Sequence, residues 1–147
     1  TFRGNSAHSK ILAIILSYQG PKDILTGLAI DVDKALAWQN SKEFHHFFPQ
    51  AFLRTKGIPA SRVSSLANMV YLSSASNKLI SDRPPSEYLA KLLAEHGPEA
   101  RAWLATNLID DAAIDAALAD DYDTFLAARA KVINERAKIQ AGWTAPA

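Results

Sequence analysis

Glu43-Phe44-His45-His46-Phe47-Phe48-Pro49-Gln50 is the stretch on which the reading of this chain turns, together with Leu66-Ala67-Asn68-Met69-Val70-Tyr71-Leu72 and Ser76-Asn77-Lys78 downstream. The first is short, aromatic-rich and bounded by Ser41 and Pro49, which fits a strand over Glu43 to Phe48. It holds two of the four histidines, side by side. The second stretch predicts a strand over Met69 to Leu72, with Asn68 inside the strand-like run, 22 residues after His46. The third opens a helix over Ala75 to Ile80, with Ser73 or Ser74 as its cap and Asn77 near its start. The order is therefore strand, loop, strand, helix.

Working outward, the N-terminal flank (5–40) reads as helical. Asn5 or Ser6 caps a helix that runs to about Gln19, where Gly20-Pro21 stops it. Ile24 to Asp31 reads as strand or loop around a Thr26-Gly27 turn, and Asp33 to Gln39 as a short helix carrying Trp38. Between the two strands, Ala51 to Lys56 and Arg62 to Ala67 read as short helical pieces. The C-terminal flank (85–141) reads as helices throughout. One runs over Glu87 to His96, with Ser86 as its capping candidate. Asp110-Asp111 caps another through Leu118, and Asp120 or Asp121 the last, which has Tyr122, Phe125, Leu126, Ala130 and Ile133 at helical spacing. The fold class is mainly α with a small ββα core over about 41–83, hence α+β, in a single domain over 1–147. Phe44, Phe47, Phe48, Phe52, Trp38 and Trp103 read as core aromatics.

Composition bounds the function. The 147 residues are 48% hydrophobic and 21% charged, values of an ordinary globular domain. There is no Cys, which excludes disulfides and thiolate zinc sites. No apolar run approaches the ~20 residues of a membrane-spanning helix, and a cytoplasmic location and a fragment of a longer protein are expected. Net charge is only +1, but it is unevenly spread: residues 41–83 hold six bases against two acids, and residues 99–147 eight acids against five bases. A basic surface around the histidines suits a phosphodiester substrate. Arg54, Lys56, Arg62, Lys78 and Arg83 are its candidate phosphate contacts, and tail charges such as Arg129 and Lys131 lie outside it.

The chemistry follows from residue types. Hydrolysis of a phosphodiester needs a base to take a proton from water, and imidazole suits that near neutral pH. It also needs charge stabilisation at phosphorus, which a divalent ion supplies. On a regular strand His45 and His46 point to opposite faces, so a bend or bulge at the strand end is expected to bring both toward one phosphate. Asn68, on the facing strand, is placed to bond the backbone around His46 and fix the ring.

The ordered set His45-His46, Asn68, Asn77 resembles the ββα-metal core of HNH (His-Me finger) nucleases. That resemblance implies His46 and Asn68 as catalytic residues and His45 and Asn77 as ligands of Mg²⁺ or Mn²⁺. Asn77 departs from the commonest pattern, which has His there. A longer match, through His-His-Phe-Phe-Pro-Gln, Ser65-Leu66-Ala67-Asn68, Asn77-Lys78-Leu79-Ile80-Ser81 and Pro84-Pro85-Ser86-Glu87-Tyr88-Leu89, resembles the C-terminal nuclease domain of GmrSD-type and SspE-like restriction factors. It implies a DNA endonuclease that nicks foreign DNA in modification-dependent bacterial defence, with a nucleotide-hydrolysing domain N-terminal to it and no membrane partner. Two readings from other classes compete. One is a catalytically silent DNA- or partner-binding module on the same scaffold. The other is a helical interaction domain whose His pair binds a structural metal.

Overall fold

The computed structural model describes residues 6–33 and 44–143. The expected helix around Trp38, the Asn5 cap, and Glu43 at the start of the first strand lie outside the described residues. Along the rest, α1 (Ala7–Ser17) is followed by an isolated antiparallel bridge, Lys22 to Ala29, around a turn. Then come β1 (Phe44–His46), α2 (Gln50–Thr55), α3 (Ala60–Val63), a 3₁₀ turn (Leu66–Asn68), β2 (Met69–Tyr71) and α4 (Ser74–Ile80). Helices α5 (Pro85–His96), α6 (Pro98–Ala105), α7 (Asp111–Leu118) and α8 (Tyr122–Gln140) complete the chain. The architecture is thus mostly helical with one small antiparallel sheet.

Capping explains most of the helix starts. Ser6 accepts from the Ser9 amide, Ser73 from Ser76, Asp110 from Ala113 and Asp121 from Thr124, each pairing one of the free N–H groups of a first turn. Helix α5 differs from expectation. It starts at Pro85, whose missing N–H is no loss at that position, and Ser86 lies inside it rather than capping it. The Ser86 amide and hydroxyl instead donate to the Asp120 carboxylate, at 2.9 and 2.6 Å.

The sheet pairs Phe44 with Tyr71, His45 with Val70 and His46 with Met69. All three residues of β2 are buried, and strand alternation divides them between two cores. Met69 and Tyr71 face Leu12, Ile15 and Leu16 of α1, with the Phe44 ring tilted against Tyr71 at 4.3 Å. Val70 and Leu72 join the larger core of Phe47, Phe48, Leu89, Ala117 and Phe125. There Phe47 stacks on Phe125 at 4.8 Å and Phe48 meets Tyr122 edge-on at 5.1 Å. The strand ends at His46, shorter than the predicted Glu43 to Phe48, because Phe47 and Phe48 turn into this core. The expected core role of the described aromatics holds. Gly27, at φ +68°, lets the N-terminal turn lie against the Trp103 indole.

Asn68 also departs from expectation. It belongs to the 3₁₀ turn before β2, its amide bonded to the Ser65 carbonyl at 3.0 Å. The helical surface of α8 holds a further correction: Arg129, read as a tail charge, is fully buried. Position 129 shares the face of Tyr122, Phe125 and Leu126 by the three-and-four spacing of a helix.

Candidate active site

Pro49 ends the bend after β1 and starts α2, so His46, Gln50 and Arg54 follow one another at intervals of four residues. The Arg54 guanidinium donates to the Gln50 side-chain oxygen at 3.1 Å. Gln50 therefore presents its NH₂ to the His46 ring, 3.1 Å from Nε2 and 3.3 Å from Nδ1. The Ser64 hydroxyl lies 3.3 Å from Nε2. An amide NH₂ only donates, so the ring nitrogen it meets must carry a lone pair, which is the state a base requires. Burial, then the charge of His45, then that of Arg54 push the His46 pKa down to about 4, all three opposing the imidazolium. The ring is neutral at physiological pH.

Asn68 closes on the backbone just past His46. Its side-chain oxygen accepts from the Phe48 amide at 2.8 Å, and its NH₂ donates to the carbonyls of Phe48 and Val63 at 3.1 and 3.0 Å. Its own carbonyl accepts from the Phe47 amide at 2.8 Å. Two groups of one residue thus fix the chain direction directly after the histidine, and the bond to Val63 ties in the loop that carries Ser64. The sequence-level placement of Asn68 against the His46 backbone agrees with this geometry, from a turn rather than a strand.

His45 is half-buried and pairs with Val70. The register is regular through both histidines, and the chain bends at the strand end as expected, but at Phe47 and Phe48, past both of them, so strand alternation still sends the two side chains to opposite faces. Asn77 sits in the second turn of α4, half-buried, its amide N–H bonded to the Ser73 carbonyl. Its side-chain amide makes no hydrogen bond among the described residues, which leaves an oxygen donor uncommitted. One imidazole nitrogen and one amide oxygen suit a hard divalent ion that keeps most of its shell as water and phosphate. Among the described residues there is no cluster of three or more His, Cys, Asp or Glu. The start of α4 is held by Asp23, a buried carboxylate that accepts from the Ser73 amide at 3.0 Å and from Leu25 and Thr26 in its own turn.

The five candidate phosphate contacts are all exposed, but most are engaged. Arg54 is on Gln50, Lys56 lies over the Phe52 ring at 5.5 Å, and Arg62 is paired with Asp123. Arg83 donates to the Leu79 and Ile80 carbonyls at the end of α4. Lys78 is the one of the five with no partner among the described residues. The pairing of Arg62 with Asp123 also brings the first turn of α8 against the basic stretch, so the acidic tail is not separate from that face. Gln50 and Ser64, which sequence reasoning did not assign, are the side chains that touch His46. The signal for Gln50 was its spacing of four from both His46 and Arg54.

No family model matches this chain, and no solved structure does. Over 51 residues, 35% of its length, the chain is 39% identical to an uncharacterized protein of Methanocaldococcus jannaschii. That stretch covers 9% of the relative, so the chain matches less than a tenth of the relative's own length. Among the described residues no helix is long and apolar enough to cross a membrane.

Proposed function

We propose that this chain is a metal-dependent DNA endonuclease domain of the HNH kind, which nicks one strand at a single ββα site. The observation that carries the reading is the closure of buried Asn68 on Phe48, two residues past His46, within the succession β1, β2, α4. It supports a histidine whose direction is fixed, and the Gln50 NH₂ against the ring together with its burial supports a neutral imidazole. His46 takes the proton of the attacking water and becomes imidazolium. A phosphodiester beside it carries the negative charge that favours that cation, offsetting the positive charge of Arg54. Gln50 and Ser64 orient the ring. His45 and Asn77 would hold Mg²⁺ or Mn²⁺, which supplies charge stabilisation at the phosphoryl and leaving oxygens. Lys78, with Arg54, Lys56, Arg62 and Arg83 where they exchange their present partners for phosphate, positions the duplex. The resemblance to GmrSD-type and SspE-like restriction factors supports the wider setting: modification-dependent restriction of foreign DNA in the bacterial cytoplasm, with a nucleotide-hydrolysing domain elsewhere in the full protein.

Nicking of supercoiled plasmid tests this. Wild-type protein with Mg²⁺ should convert it to open circles, and EDTA should stop the reaction with little change in melting temperature. His46→Ala should lower the rate about 10²–10⁴-fold, the usual cost of a lost general base. Wild-type cutting by folded His46→Ala would remove the central claim. Plasmid binding without cutting by the wild type would favour the silent binding module, and unfolding by EDTA would favour a structural metal.

A further inference from the structure

The side chain of Arg129 is fully buried, and its hydrogen-bond partners are backbone carbonyls rather than a carboxylate. Nη1 donates to the Ala67 carbonyl at 2.7 Å, while Nε and Nη2 both donate to the Asn107 carbonyl at 3.2 and 3.0 Å. Removing a cation from water costs several kcal/mol, and burial pulls the Arg129 pKa down to about 9. An apolar side chain of the same length would fill the space without that cost. What only arginine supplies is a planar fork with donors in fixed directions, here set on two separate carbonyls.

Both carbonyls belong to β2's surroundings. The Ala67 carbonyl is half of the peptide unit that ends in the Asn68 nitrogen, so its bond to Arg129 sets the plane from which Asn68 departs. Asn68 then holds the Phe47 and Phe48 amides. Asn107 is fully buried. Its side-chain oxygen accepts from the Tyr71 amide at 2.8 Å, and its NH₂ donates to the Lys22 carbonyl at 2.9 Å. The guanidinium therefore reaches Ala67, two residues before β2, directly and the last residue of β2 through Asn107. A two-stranded ribbon is marginal by itself, and β2 is only three residues long. Its two ends are braced from α8, far away in sequence.

We infer that Arg129 is a positioning residue for the candidate active site: from α8 it fixes the turn that presents Asn68, and Asn68 fixes the strand end that carries His46. This deepens the nuclease reading and, in its catalytic part, rests on it. The brace itself is independent of that reading. Since displacement of a reacting group by about 1 Å costs ~10²-fold in rate, loosening the turn should act on turnover and not on DNA affinity.

The test compares wild type, Arg129→Lys and Arg129→Met in the whole chain, by amide hydrogen exchange and by plasmid nicking. Lysine keeps the charge but has no fork to span both carbonyls; methionine keeps the volume and leaves both unpaired. The Phe47 and Phe48 amides should exchange at least about tenfold faster in both variants, with the amides of α5 unchanged, because only the opening of the Asn68 turn is eased. Turnover at saturating plasmid should fall about 10- to 100-fold with KM within about twofold, the pattern of a group that acts only on the reacting geometry. Wild-type exchange at Phe47 and Phe48 in either folded variant overturns the brace, whether or not the protein cuts DNA. Faster exchange there with unchanged turnover overturns the positioning role and leaves the nuclease reading standing. Uniformly faster exchange, or failure of both variants to fold, makes Arg129 a support of the whole fold and overturns the inference as well. A wild type that does not nick defeats the nuclease reading and the catalytic role with it, while the exchange arm still decides the brace.

Discussion

Replacing Asn68 tests the centre of the arrangement without assuming any activity. Its side chain makes three hydrogen bonds in a place with no exposure to water. Asn68→Ala leaves the Phe48 amide and one bond each at the Phe48 and Val63 carbonyls unmade. A buried polar group left unpaired costs about 1–3 kcal/mol, and three that share one side chain are not additive, so a loss of roughly 3–6 kcal/mol is expected. Against the ~5–15 kcal/mol of a typical domain that is severe. It corresponds to a fall in melting temperature of roughly 6–24 °C, taking about 2–4 °C per kcal/mol at this chain length. Asn68→Asp separates hydrogen bonding from shape. The new carboxyl still accepts from Phe48, but it turns an acceptor toward two carbonyls where an NH₂ stood. Burial and those carbonyls raise its folded pKa above the ~3.9 of the unfolded chain. The folded state then binds more protons than the unfolded one, so stability falls as pH rises from about 4 to that folded pKa. Urea unfolding in EDTA at pH 5 and pH 8, followed by circular dichroism, gives the answer. Asn68→Ala should show the same deficit against wild type at both pH values. The deficit of Asn68→Asp should grow toward pH 8 by as much as about 1.4 kcal/mol per pH unit until the carboxyl is fully ionised. An alanine variant within about 1 kcal/mol of wild type, or an aspartate deficit independent of pH, would refute the argument.

His46 predicts an acid instability of the metal-free protein. Its pKa is lowered to about 4 in the fold, so the unfolded chain binds the extra proton between about pH 6.5 and 4. Stability contributed by the neutral ring is full above that window and is lost as pH falls through it. The half-exposed ring reduces the effect to roughly 1–3 kcal/mol, and urea midpoints for His46→Ala should fall less steeply over the same range than those of wild type; parallel curves would count against the shift. Gly27→Ala should destabilise by roughly 2–4 kcal/mol, since a Cβ would lie 2.4 Å from the Trp103 ring at a φ of +68°; an unchanged melting temperature would mean the turn and indole separate freely. In a His46→Ala background that spares the substrate, Lys78→Ala should shallow the salt dependence of duplex binding by about 0.9 in log–log slope and weaken unrelated sequences alike. An unchanged slope would move the DNA off that face.

What the sequence makes legible here is local. Ser6, Ser73, Asp110 and Asp121 mark helix starts because a cap bonds an amide two or three residues away, and that distance is visible in a string of letters. The strand pair is visible too, since His45 and His46 sit among aromatics and Met69 to Tyr71 are all apolar. The 3₁₀ turn is visible only in part: Arg62 to Ala67 read as helical, but no letter carries that turn on to Asn68, and only the folded chain brings the Ser65 carbonyl to the Asn68 amide. Ser86 illustrates the same limit: its partner Asp120 is 34 residues away, so a good capping residue is diverted to a tertiary bond.

Charge is where the reading of α8 goes astray, and the reason is physical. Arginine is almost never fully buried unless paired, so a basic residue in an acidic helical tail reads as solvated. The helical period says otherwise. Residue 129 follows Phe125 by four and Leu126 by three, on the stripe that must face the core. The two rules conflict, and burial decides in favour of the period because backbone carbonyls at Ala67 and Asn107 take the place of water. Turns and helix ends leave carbonyls unpaired, and in this chain they lie on either side of β2. A cation on the apolar stripe of a helix is then more than a flaw in the pattern. It marks where that helix meets free carbonyls, and in this molecule those carbonyls flank the strand that faces the two histidines.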